Sequence, residues 1–281
     1  MRIDLHLHSD ASDGTQAPSE VMLVAAAAGL DVVALTDHDT TAGWAEAGEA
    51  ARQAGIVLVP GAEISCQAGG IGVHLLAYLH DPEDAALLAE ITRTRHDRVG
   101  RARRMVERIG ADYPLEWEDV VAHTPVGATV GRPHIADAMV ARGHVTSRDE
   151  AFAHVLRSGS PYYVRHYAPD AVEAVALVVA AGGVAVMAHP RAARRGRVVS
   201  AEVIAAMAAR GLAGLEVDHR DHLPHERAEL RSLAADLGLF VTGASDYHGA
   251  GKQNRIGEHL SAPEVFEAIE AIGRGAAVVR P

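Results

Sequence analysis

Histidine and carboxylate side chains recur along this chain at positions that favour metal binding. His6 and His8 end an apolar run that begins at Ile3, and in an extended strand the side chains of residues i and i+2 point to the same side. A lone His-x-His pair is weak evidence, because two histidines on a polar strand face are common. Further candidate ligands follow, nearly all at the ends of other apolar runs: Asp13, His38, Glu63, His74, His189, Asp246 and His248.

The number and type of these side chains indicate a hydrolytic metal centre. Six histidines and three carboxylates exceed the ligands of one ion, and with a shared carboxylate they suit two or three divalent cations such as Zn, Mn or Fe. The single cysteine, Cys66, excludes a structural zinc site built from thiolates. Mixed nitrogen and oxygen ligation of several ions favours hydrolysis, in which a metal-bound hydroxide attacks and the cations neutralise the developing charge.

Alternating strands and helices must position these ligands. Short β-rich runs alternate with alanine-rich helical runs, several of which end at a glycine. The predicted strands are Ile3–Leu7, Val32–Thr36, Val57–Ile64, Val73–Leu79, Val184–Ala188, Gly214–Val217 and Leu239–Gly243. The predicted helices lie near Ser19–Ala28, Ala42–Ala54, Ala168–Ala181, Ala201–Arg210 and Pro224–Leu237. This repetition predicts an α/β fold with parallel strands, either a barrel or a doubly wound sheet.

In such folds the carboxyl ends of the strands meet at one rim, where functional groups gather. The candidate ligands follow the strands, so we expect them on one rim, with His74 inside its strand but able to point into the same cavity. The remaining histidines apart from His134 lack this context and receive no role: His80, His96, His123, His144, His154, His166, His219, His222, His225 and His259.

The alternation stops between about residues 80 and 163, where the sequence is mostly helical. The helices predicted there are Glu83–Ile109, Trp117–Ala122, Pro133–Arg142 and Arg148–Leu156. We therefore predict a helical insertion over residues 81–163, between barrel segments 1–80 and 164–281.

The composition limits the binding partners and the cellular compartment that we expect for this protein. A net charge of −11 makes a basic nucleic-acid-binding surface unexpected, so no stable complex with a large nucleic acid is predicted. No apolar run approaches the roughly 20 residues of a membrane helix, and we expect no signal peptide before the first strand. The single cysteine fits a reducing compartment. We expect a cytoplasmic protein with no membrane partner.

At these residues the chain resembles the polymerase and histidinol phosphatase (PHP) family of metal-dependent phosphoesterases. The matching motifs are Asp4-Leu5-His6-Leu7-His8-Ser9, Ser12-Asp13-Gly14, Leu35-Thr36-Asp37-His38-Asp39, Gly61-Ala62-Glu63-Ile64-Ser65, His74, Ala188-His189-Pro190 and Gly243-Ala244-Ser245-Asp246-Tyr247-His248. The resemblance implies a distorted seven-stranded (β/α) barrel with three divalent metal ions, with manganese expected first and zinc or iron as alternatives.

The resemblance also implies how the ligands divide among the ions. The first ion would be held by His6, His8, Glu63 and Asp246. Glu63 would bridge to a second ion held by His74 and His189, and the third would be held by Asp13, His38 and His248.

Arginines in the helical insertion provide candidates for a second anion site. Arg98 and Arg101 are three residues apart and share one helix face, and Arg132 begins a predicted helix, a position that favours anions. Within the family, the layout is similar to that of bacterial nucleoside 3′,5′-bisphosphate phosphatases that also trim short RNA from the 5′ end. This implies that Arg98, Arg101 and Arg132 hold the phosphate that is not cleaved. The full set of expected substrate contacts is Asp13, His38, Arg98, Arg101, Arg132, Pro133 and His134.

Two positions depart from the family pattern where substrate contacts are expected. Ser160 stands where a lysine is common, and Arg191-Ala192-Ala193 follows Pro190 in place of Gly-Arg. The donor of a proton to the leaving oxygen stays open between His134, as a general acid, and a metal-bound water.

The expected activity is removal of the 3′-phosphate from nucleoside 3′,5′-bisphosphates, or 5′-to-3′ hydrolysis of short 5′-phosphorylated oligoribonucleotides. A phosphomonoesterase of the histidinol-phosphate type is the main alternative. An amidohydrolase-type C–N hydrolase is a further one, because similar metal centres cleave amides.

Overall fold

Seven strands form one curled sheet at the centre of the protein. A computed structural model describes residues 1–125, 127–165 and 167–281, without the side chain of Arg195, so His166 lies outside the described residues. The strands are β1 (Ile3–Leu7), β2 (Val32–Leu35), β3 (Val57–Ala68), β4 (Ile71–Tyr78), β5 (Val184–Met187), β6 (Leu212–Asp218) and β7 (Phe240–Gly243). They are ordered β1 to β7 across the sheet. Just beyond the strands, His8 N donates to Tyr247 O at 2.9 Å, which joins the two edges of the curled sheet.

Helices surround this sheet. They are α1 (Pro18–Ala27), α2 (Trp44–Ala54), α3 (Ala85–Ile109), α4 (Trp117–Ala122), α5 (Arg132–Ala141), α6 (Arg148–His154), α7 (Ala171–Ala180), α8 (Ala201–Ala208), α9 (Pro224–Leu237) and α10 (Pro263–Ile272), with a 3₁₀ turn at Ala193–Arg195. Within the described ranges, no helix combines the length and the apolarity that crossing a membrane requires. The sequence analysis did not predict α10, which packs Val265, Phe266 and Ile269 against strand residues such as Ile3 and Leu5.

The strands are buried because both faces of the sheet are covered. All residues of β1, β2 and β5 are buried, as expected for parallel strands between packed layers. Val33 and Leu35 of β2 pack with residues of α1 and α2, whereas Val32 and Ala34 pack into the cluster that contains α10. The predicted seven-stranded α/β barrel architecture is confirmed.

The expectation of uniformly parallel strands is wrong for β4. This strand pairs antiparallel with β3 and with β5, while the other pairs are parallel. The physical reason is the connection: β3 extends to Ala68 and only Gly69 and Gly70 separate it from β4, both with positive φ. A two-residue turn closes an antiparallel hairpin, whereas a parallel pair needs a crossover of about a dozen residues.

Helices α3 to α6 share a hydrophobic cluster of their own. Met105, Ile109, Ile135, Met139 and Leu156 belong to it and are completely buried. The first turns of α3 belong elsewhere, because its Leu87 and Ile91 pack with the sheet. Helix α3 therefore connects the sheet to the four-helix region, and its Arg98 contacts Asp39, next to the candidate ligand His38.

Candidate metal centre

Glu63 lies at the centre of the candidate ligands. It is a β3 residue that is 1% exposed, and imidazole nitrogens surround both of its carboxylate oxygens. Oε2 lies 3.2 Å from His6 Nε2, 3.1 Å from His8 Nε2 and 3.2 Å from His38 Nδ1, and Oε1 lies 2.7 Å from His74 Nδ1 and 3.1 Å from His189 Nε2. Residues from four strand regions thus meet at one carboxylate.

The ligand atoms fall into three overlapping groups, each with all its atoms within 4.8 Å of one another. The groups are His6, His8, Glu63 and Asp246; His8, Asp13, His38 and His248; and His38, Glu63 and His74. The first equals the set that the resemblance implies for one ion. The second contains the set expected for the third ion and adds His8. The third group shares Glu63 and His74 with the set implied for the second ion. His189, the other member of that set, contacts the same oxygen of Glu63 as His74.

Asp13, His248 and Asp246 complete the rim. His248 Nε2 lies 3.2 Å from Asp13 Oδ1, and His38 Nε2 lies 3.8 Å from Asp13 Oδ2. Asp246 Oδ1 lies 3.5 Å from Nε2 of both His6 and His8. All the candidate ligands named from the sequence are therefore brought to one place.

The donor set fits divalent cations. His6 Nε2 and His8 Nε2 face each other at 3.0 Å and both face the same oxygen of Glu63. The buried His38 Nδ1 and His248 Nε2 each lie 3.2 Å from a carboxylate oxygen, of Glu63 and of Asp13. Ring nitrogens and carboxylate oxygens that converge in this way present lone pairs to a common centre, which cations of the Zn, Mn or Fe type accept.

Electrostatics keep Glu63, Asp13 and His248 in the protonation states that ligate metals. Burial acts to raise the pKa of Glu63, but His38 and His74 hold it well below its ordinary value. The pKa of Asp13 is likewise held well below its ordinary value by His248 and His38, against the effect of burial. Burial and the neighbouring His8 lower the pKa of His248 to about 4. Ionised carboxylates and neutral imidazoles bind metals without first losing a proton.

Backbone strain concentrates at the same rim. Asp39, His189 and Asp246 have φ of 52°, 30° and 53°, and of the described non-glycine residues only Leu79 shares a positive φ. This left-handed region is unfavourable for side chains with a Cβ. Strain of about 1–3 kcal/mol at each such residue persists only where the surroundings enforce it, commonly at functional sites.

Glu216 belongs to the site, although sequence reasoning missed it. It is a completely buried β6 residue; its Oε1 lies 2.9 Å from His6 Nδ1, and its Oε2 accepts from His189 N at 2.8 Å. Burial acts to raise its pKa, but His6 lowers it to about 2. The ionised carboxylate accepts the Nδ1 proton of His6 and leaves Nε2 directed at the cluster. An acidic residue inside the apolar run of β6 was the available signal.

His219 was also missed. It follows β6 and is completely buried, and its Nε2 lies 3.5 Å from Asp246 Oδ2. His222 lies beside it, with Nε2 accepting from Arg191 N at 3.1 Å. The strand-end reasoning applied to the other ligands would have identified His219, because it comes two residues after the predicted strand Gly214–Val217.

Asp37 organises the loop that carries Asp13. Its Oδ1 accepts from Ser9 N at 2.8 Å and from Ser12 Oγ at 2.6 Å, and its Oδ2 accepts from Ser9 Oγ at 2.7 Å. Ser9 and Ser12, from the first two sequence motifs, thus hydrogen-bond the buried carboxylate of Asp37, which belongs to the third motif. This explains why these short polar residues stand beside the candidate ligands.

The arginines named from the sequence form a second cluster, on α3 and α5, which we call the arginine cluster: Arg98, Arg101 and Arg132. Arg98 Nη2 lies 2.7 Å from Asp39 Oδ2 and also contacts Ser65 Oγ. Arg101 Nε donates to Val164 O at 2.9 Å, and Arg132 Nη1 donates to Leu156 O at 3.1 Å. Both guanidinium groups lie near the ring of Tyr163, at 5.2 and 5.9 Å from its centre.

Pro133 and His134 lie in the first turn of α5, beside Arg132. Gly131 N donates to His134 Nδ1 at 3.0 Å, so Nε2 carries the ring proton. Burial lowers the pKa of His134, which favours the neutral ring. This arrangement supports a hydrogen-bond donor to substrate better than a general acid, and both roles stay predictions.

The two departures from the family pattern have local partners. Ser160 is buried and its Oγ donates to Val155 O at 2.6 Å. The Arg191 side chain donates to Val199 O at 2.8 Å. Each side chain thus bonds a nearby carbonyl.

Comparisons with known proteins agree with this geometry. A family model described as PHP domain matches residues 4–167. A 3′,5′-nucleoside bisphosphate phosphatase of Chromobacterium violaceum is 35% identical over 275 residues, which cover 95% of this chain and 94% of that protein. A 5′-3′ exoribonuclease of Haemophilus influenzae is 34% identical over 251 residues, which cover 88% and 90% of the two chains.

Two solved structures share the whole architecture. One, from Bifidobacterium adolescentis and assigned as a metal-dependent phosphoesterase, has a TM-score of 0.95 and 43% identity, with 97% of this chain and 96% of that chain covered. The other, from Chromobacterium violaceum and named an amidohydrolase with bound sulfate and no metal, has a TM-score of 0.89 and 32% identity, covering 100% and 98%. The two names differ in reaction class.

Proposed function

This chain belongs to the PHP-domain family, and on that premise we propose that its substrates are small 5′-phosphorylated nucleotides. The protein is a phosphoric ester hydrolase that depends on divalent metal. It removes the 3′-phosphate of nucleoside 3′,5′-bisphosphates, or cleaves the first 3′-linked phosphodiester of short 5′-phosphorylated oligoribonucleotides in the 5′-to-3′ direction.

The observation that carries the substrate assignment is the pair of neighbouring guanidinium groups in the arginine cluster. Arg101 is 5% exposed, and burial together with the charge of Arg132 lowers its pKa to about 9. Within the described residues, Arg101 Nη2 has no hydrogen-bond partner. Two like charges in a desolvated site need an anion to offset them, and the guanidinium fork matches phosphate oxygens. A phosphate that is held but not cleaved meets that need.

The arginine cluster is directly connected to the metal centre. Arg98 pairs with Asp39, whose backbone N donates to Glu63 O at 3.1 Å. Arg132 is close enough to Asp13 for their charges to interact. A substrate with its 5′-phosphate on the arginines would therefore place its 3′-phosphate near the candidate ligands. The neutral His134 would donate Nε2–H to the same substrate.

The metal content is part of the proposal. Three divalent ions are supported by the three overlapping ligand groups, divided as the family resemblance implies, and manganese is the first expectation over zinc or iron. When bound, such ions lower the pKa of water and neutralise charge on phosphoryl oxygens. Glu216 would orient His6 toward the cluster, and Asp37 would hold the loop of Asp13 in place.

The division of labour follows the predicted segments. Residues 1–80 and 164–281 supply the candidate metal ligands, and the insertion over residues 81–163 supplies the arginine cluster. Nucleotides or short RNA are the expected partners, since the net charge of −11 does not favour long nucleic acid. The cytoplasmic location expected from the single cysteine stays a prediction.

The test combines elemental analysis of the purified protein with phosphate release from adenosine 3′,5′-bisphosphate. Arg132→Ala should raise KM by about thirtyfold, the loss of about 2 kcal/mol of charge-assisted bonding, with metal content unchanged. Arg104→Ala is the matched control, because Arg104 is exposed on the outer side of α3. Equal turnover by wild type and Arg132→Ala would contradict the anion-site assignment.

Two alternatives are separated by the same assay. A phosphomonoesterase of the histidinol-phosphate type would hydrolyse monoesters that lack a second phosphate as fast as the bisphosphate. An amidohydrolase, the name carried by one similar structure, would release amine from amide substrates. The arginine cluster argues against the second, because a neutral amide would bring no anion to Arg101 and Arg132.

A further inference from the structure

One lysine lies at the rim of the candidate metal centre. Lys252 is the single lysine among the 26 basic residues of the chain, and its Nζ donates to Asp246 Oδ2 at 3.0 Å. The Asp246 side chain is 1% exposed, whereas that of Lys252 is 32% exposed. The ammonium group thus lies between a buried candidate ligand and solvent.

Two glycines shape the backbone of the loop that carries this lysine. Gly249 turns the chain directly after the last candidate ligand with φ of 63°. Gly251 packs against the guanidinium of Arg148 so closely that a Cβ would not fit. Arg148 is itself held by two bonds to Asp137, of 2.5 and 2.6 Å. The lysine stem can therefore change rotamer while its Cα stays in place.

Asp246 has neighbours that remain if the ammonium group moves. Its Oδ1 lies 3.5 Å from Nε2 of both His6 and His8, and its Oδ2 lies 3.5 Å from His219 Nε2. Lys252 is therefore one of several neighbours of Asp246 rather than the sole partner of a buried charge.

Arg98 and Lys252 contact the candidate metal centre through different residues. Arg98 of the arginine cluster reaches it through Asp39, beside His38, whereas Lys252 reaches it through Asp246, beside His6 and His8. Glu63 contacts the histidines on both sides. A phosphate group at the cluster would thus have the arginines on one side and the lysine on the other.

We propose that Lys252 is a further catalytic residue, whose ammonium group moves from Asp246 Oδ2 to donate to an oxygen of the phosphate group that is cleaved. The inference rests on the proposed phosphoesterase function. In that reaction the water oxygen bonds to phosphorus, the bond from phosphorus to the 3′ oxygen breaks, and the proton lost by the water ends on that 3′ oxygen. Lys252 stays protonated throughout and contributes charge alone.

The residue type supports this role. An ammonium group is a compact charge on a flexible stem, so it can exchange one oxygen partner for another. A guanidinium group at the same place would hold the Asp246 carboxylate with two parallel bonds and would resist that exchange. In a chain that otherwise uses arginine for every basic residue, the lysine at this position has a chemical use that arginine would not serve.

The test compares Lys252→Met, Lys252→Arg and the control Arg255→Met, which removes an exposed charge from the same loop. In metal-loaded protein, calorimetry should show inorganic phosphate binding about tenfold more weakly to Lys252→Met, the effect of losing one charged hydrogen bond. Affinity for adenosine 5′-monophosphate should change less than twofold, since the arginines would hold it. kcat for the bisphosphate should fall at least tenfold, with KM within threefold of wild type.

Metal content by elemental analysis is the readout that a purely structural role would move. A loss of bound metal with unchanged phosphate affinity would show that Lys252 only orients Asp246 and would overturn the proposal. Full recovery of kcat and phosphate affinity in Lys252→Arg would overturn it as well. If wild type binds phosphate through Lys252 but releases none from the bisphosphate, the proposed function fails while the lysine contact stands.

Discussion

The candidate metal centre and the arginine cluster are suited to ions of opposite charge. Around Glu63, buried carboxylates and histidines alternate, and the pKa of both Glu63 and Asp13 is held well below ordinary values by neighbouring histidines. In the arginine cluster, burial and the like charge of Arg132 lower the pKa of Arg101. The first region converges lone pairs on positions for cations, and the second converges N–H donors on a position for an anion.

This difference teaches how the fold separates reaction from recognition. The metal ligands stand on strands and the loops that follow them, and neighbouring carboxylates such as Glu216 and Asp37 fix their orientation. The arginines stand on helices outside the sheet; Arg101 and Arg132 donate to backbone carbonyls, whereas Arg98 pairs with Asp39. The two regions should therefore fail separately when mutated, the first in metal content and kcat, the second in KM.

The largest effect is expected at the carboxylate that the two sides of the metal centre share. Glu63→Gln removes the charge that five histidine nitrogens face. Metal content should fall, and kcat should drop about 10³-fold, equivalent to about 4 kcal/mol of lost charge stabilisation. Elemental analysis and phosphate release measure both, with Glu229→Gln as an exposed control. Retained metal and kcat would break the assignment of Glu63 as the shared ligand.

A smaller effect is expected at Glu216, which contacts the candidate ligand His6. Glu216→Gln keeps the size of the side chain but loses the ionised acceptor for His6 Nδ1. Partners of this kind commonly contribute about 10- to 100-fold in metal affinity. Titration with a competing chelator should show that loss, while the affinity for adenosine 5′-monophosphate is preserved. An unchanged metal affinity would mean that packing alone orients His6.

The arginine cluster should respond in the opposite way. Arg101→Met removes a buried charge whose pKa burial and Arg132 lower despite the opposing effect of Asp97, so the Tm of the free protein should rise by about 3 °C, the shift produced by about 1 kcal/mol. The Tm increase caused by adenosine 5′-monophosphate should be lost. Thermal unfolding with and without that nucleotide measures both. A lower Tm in the free variant would show that Arg101 serves packing rather than anion binding.

The smallest effect concerns acid sensitivity at the boundary between the two regions. Burial lowers the pKa of His134 in the folded protein, so below pH of about 6.5 the unfolded state binds more protons and stability falls. The stability that His134 contributes is therefore present above about pH 6.5 and is lost as the pH falls toward the folded-state pKa. His134→Gln should lose less Tm between pH 7.5 and pH 5 than wild type.

The same variant addresses the role of His134. If its Nε2–H only donates to substrate, His134→Gln should keep kcat within tenfold and raise KM, since the amide can still accept from Gly131 N. A kcat loss of 10²-fold or more in His134→Gln, together with a wild-type kcat that rises toward lower pH, would restore the general-acid assignment.

Much of the site was predictable because its ligands follow a simple pattern. His6, His8 and His189 end apolar runs, and parallel strands bring such ends to one rim whatever the intervening loops do. The antiparallel β4 was not predicted, although Gly69-Gly70 marked the hairpin, because the strand ends were placed several residues from the turn. Helix α10 was missed because the role of its apolar residues, Val265, Phe266 and Ile269, is to pack against the sheet, and that contact exists only in the folded structure.

The sequence by itself determined the ligand types, their order along the chain and the α/β alternation, because hydrophobic periodicity and strand ends are local properties. Only the tertiary structure decided which oxygen of Glu63 faces which histidine, that Glu216 orients His6 and that Lys252 reaches Asp246. The contact of Glu216 with His6 joins residues about 210 positions apart in the chain, and no local pattern encodes a distance across a folded sheet. Lys252 and Asp246 are only 6 positions apart, but their contact depends on how the loop between them folds. Burial then set the charges, since desolvation and neighbouring groups act only once the chain has folded.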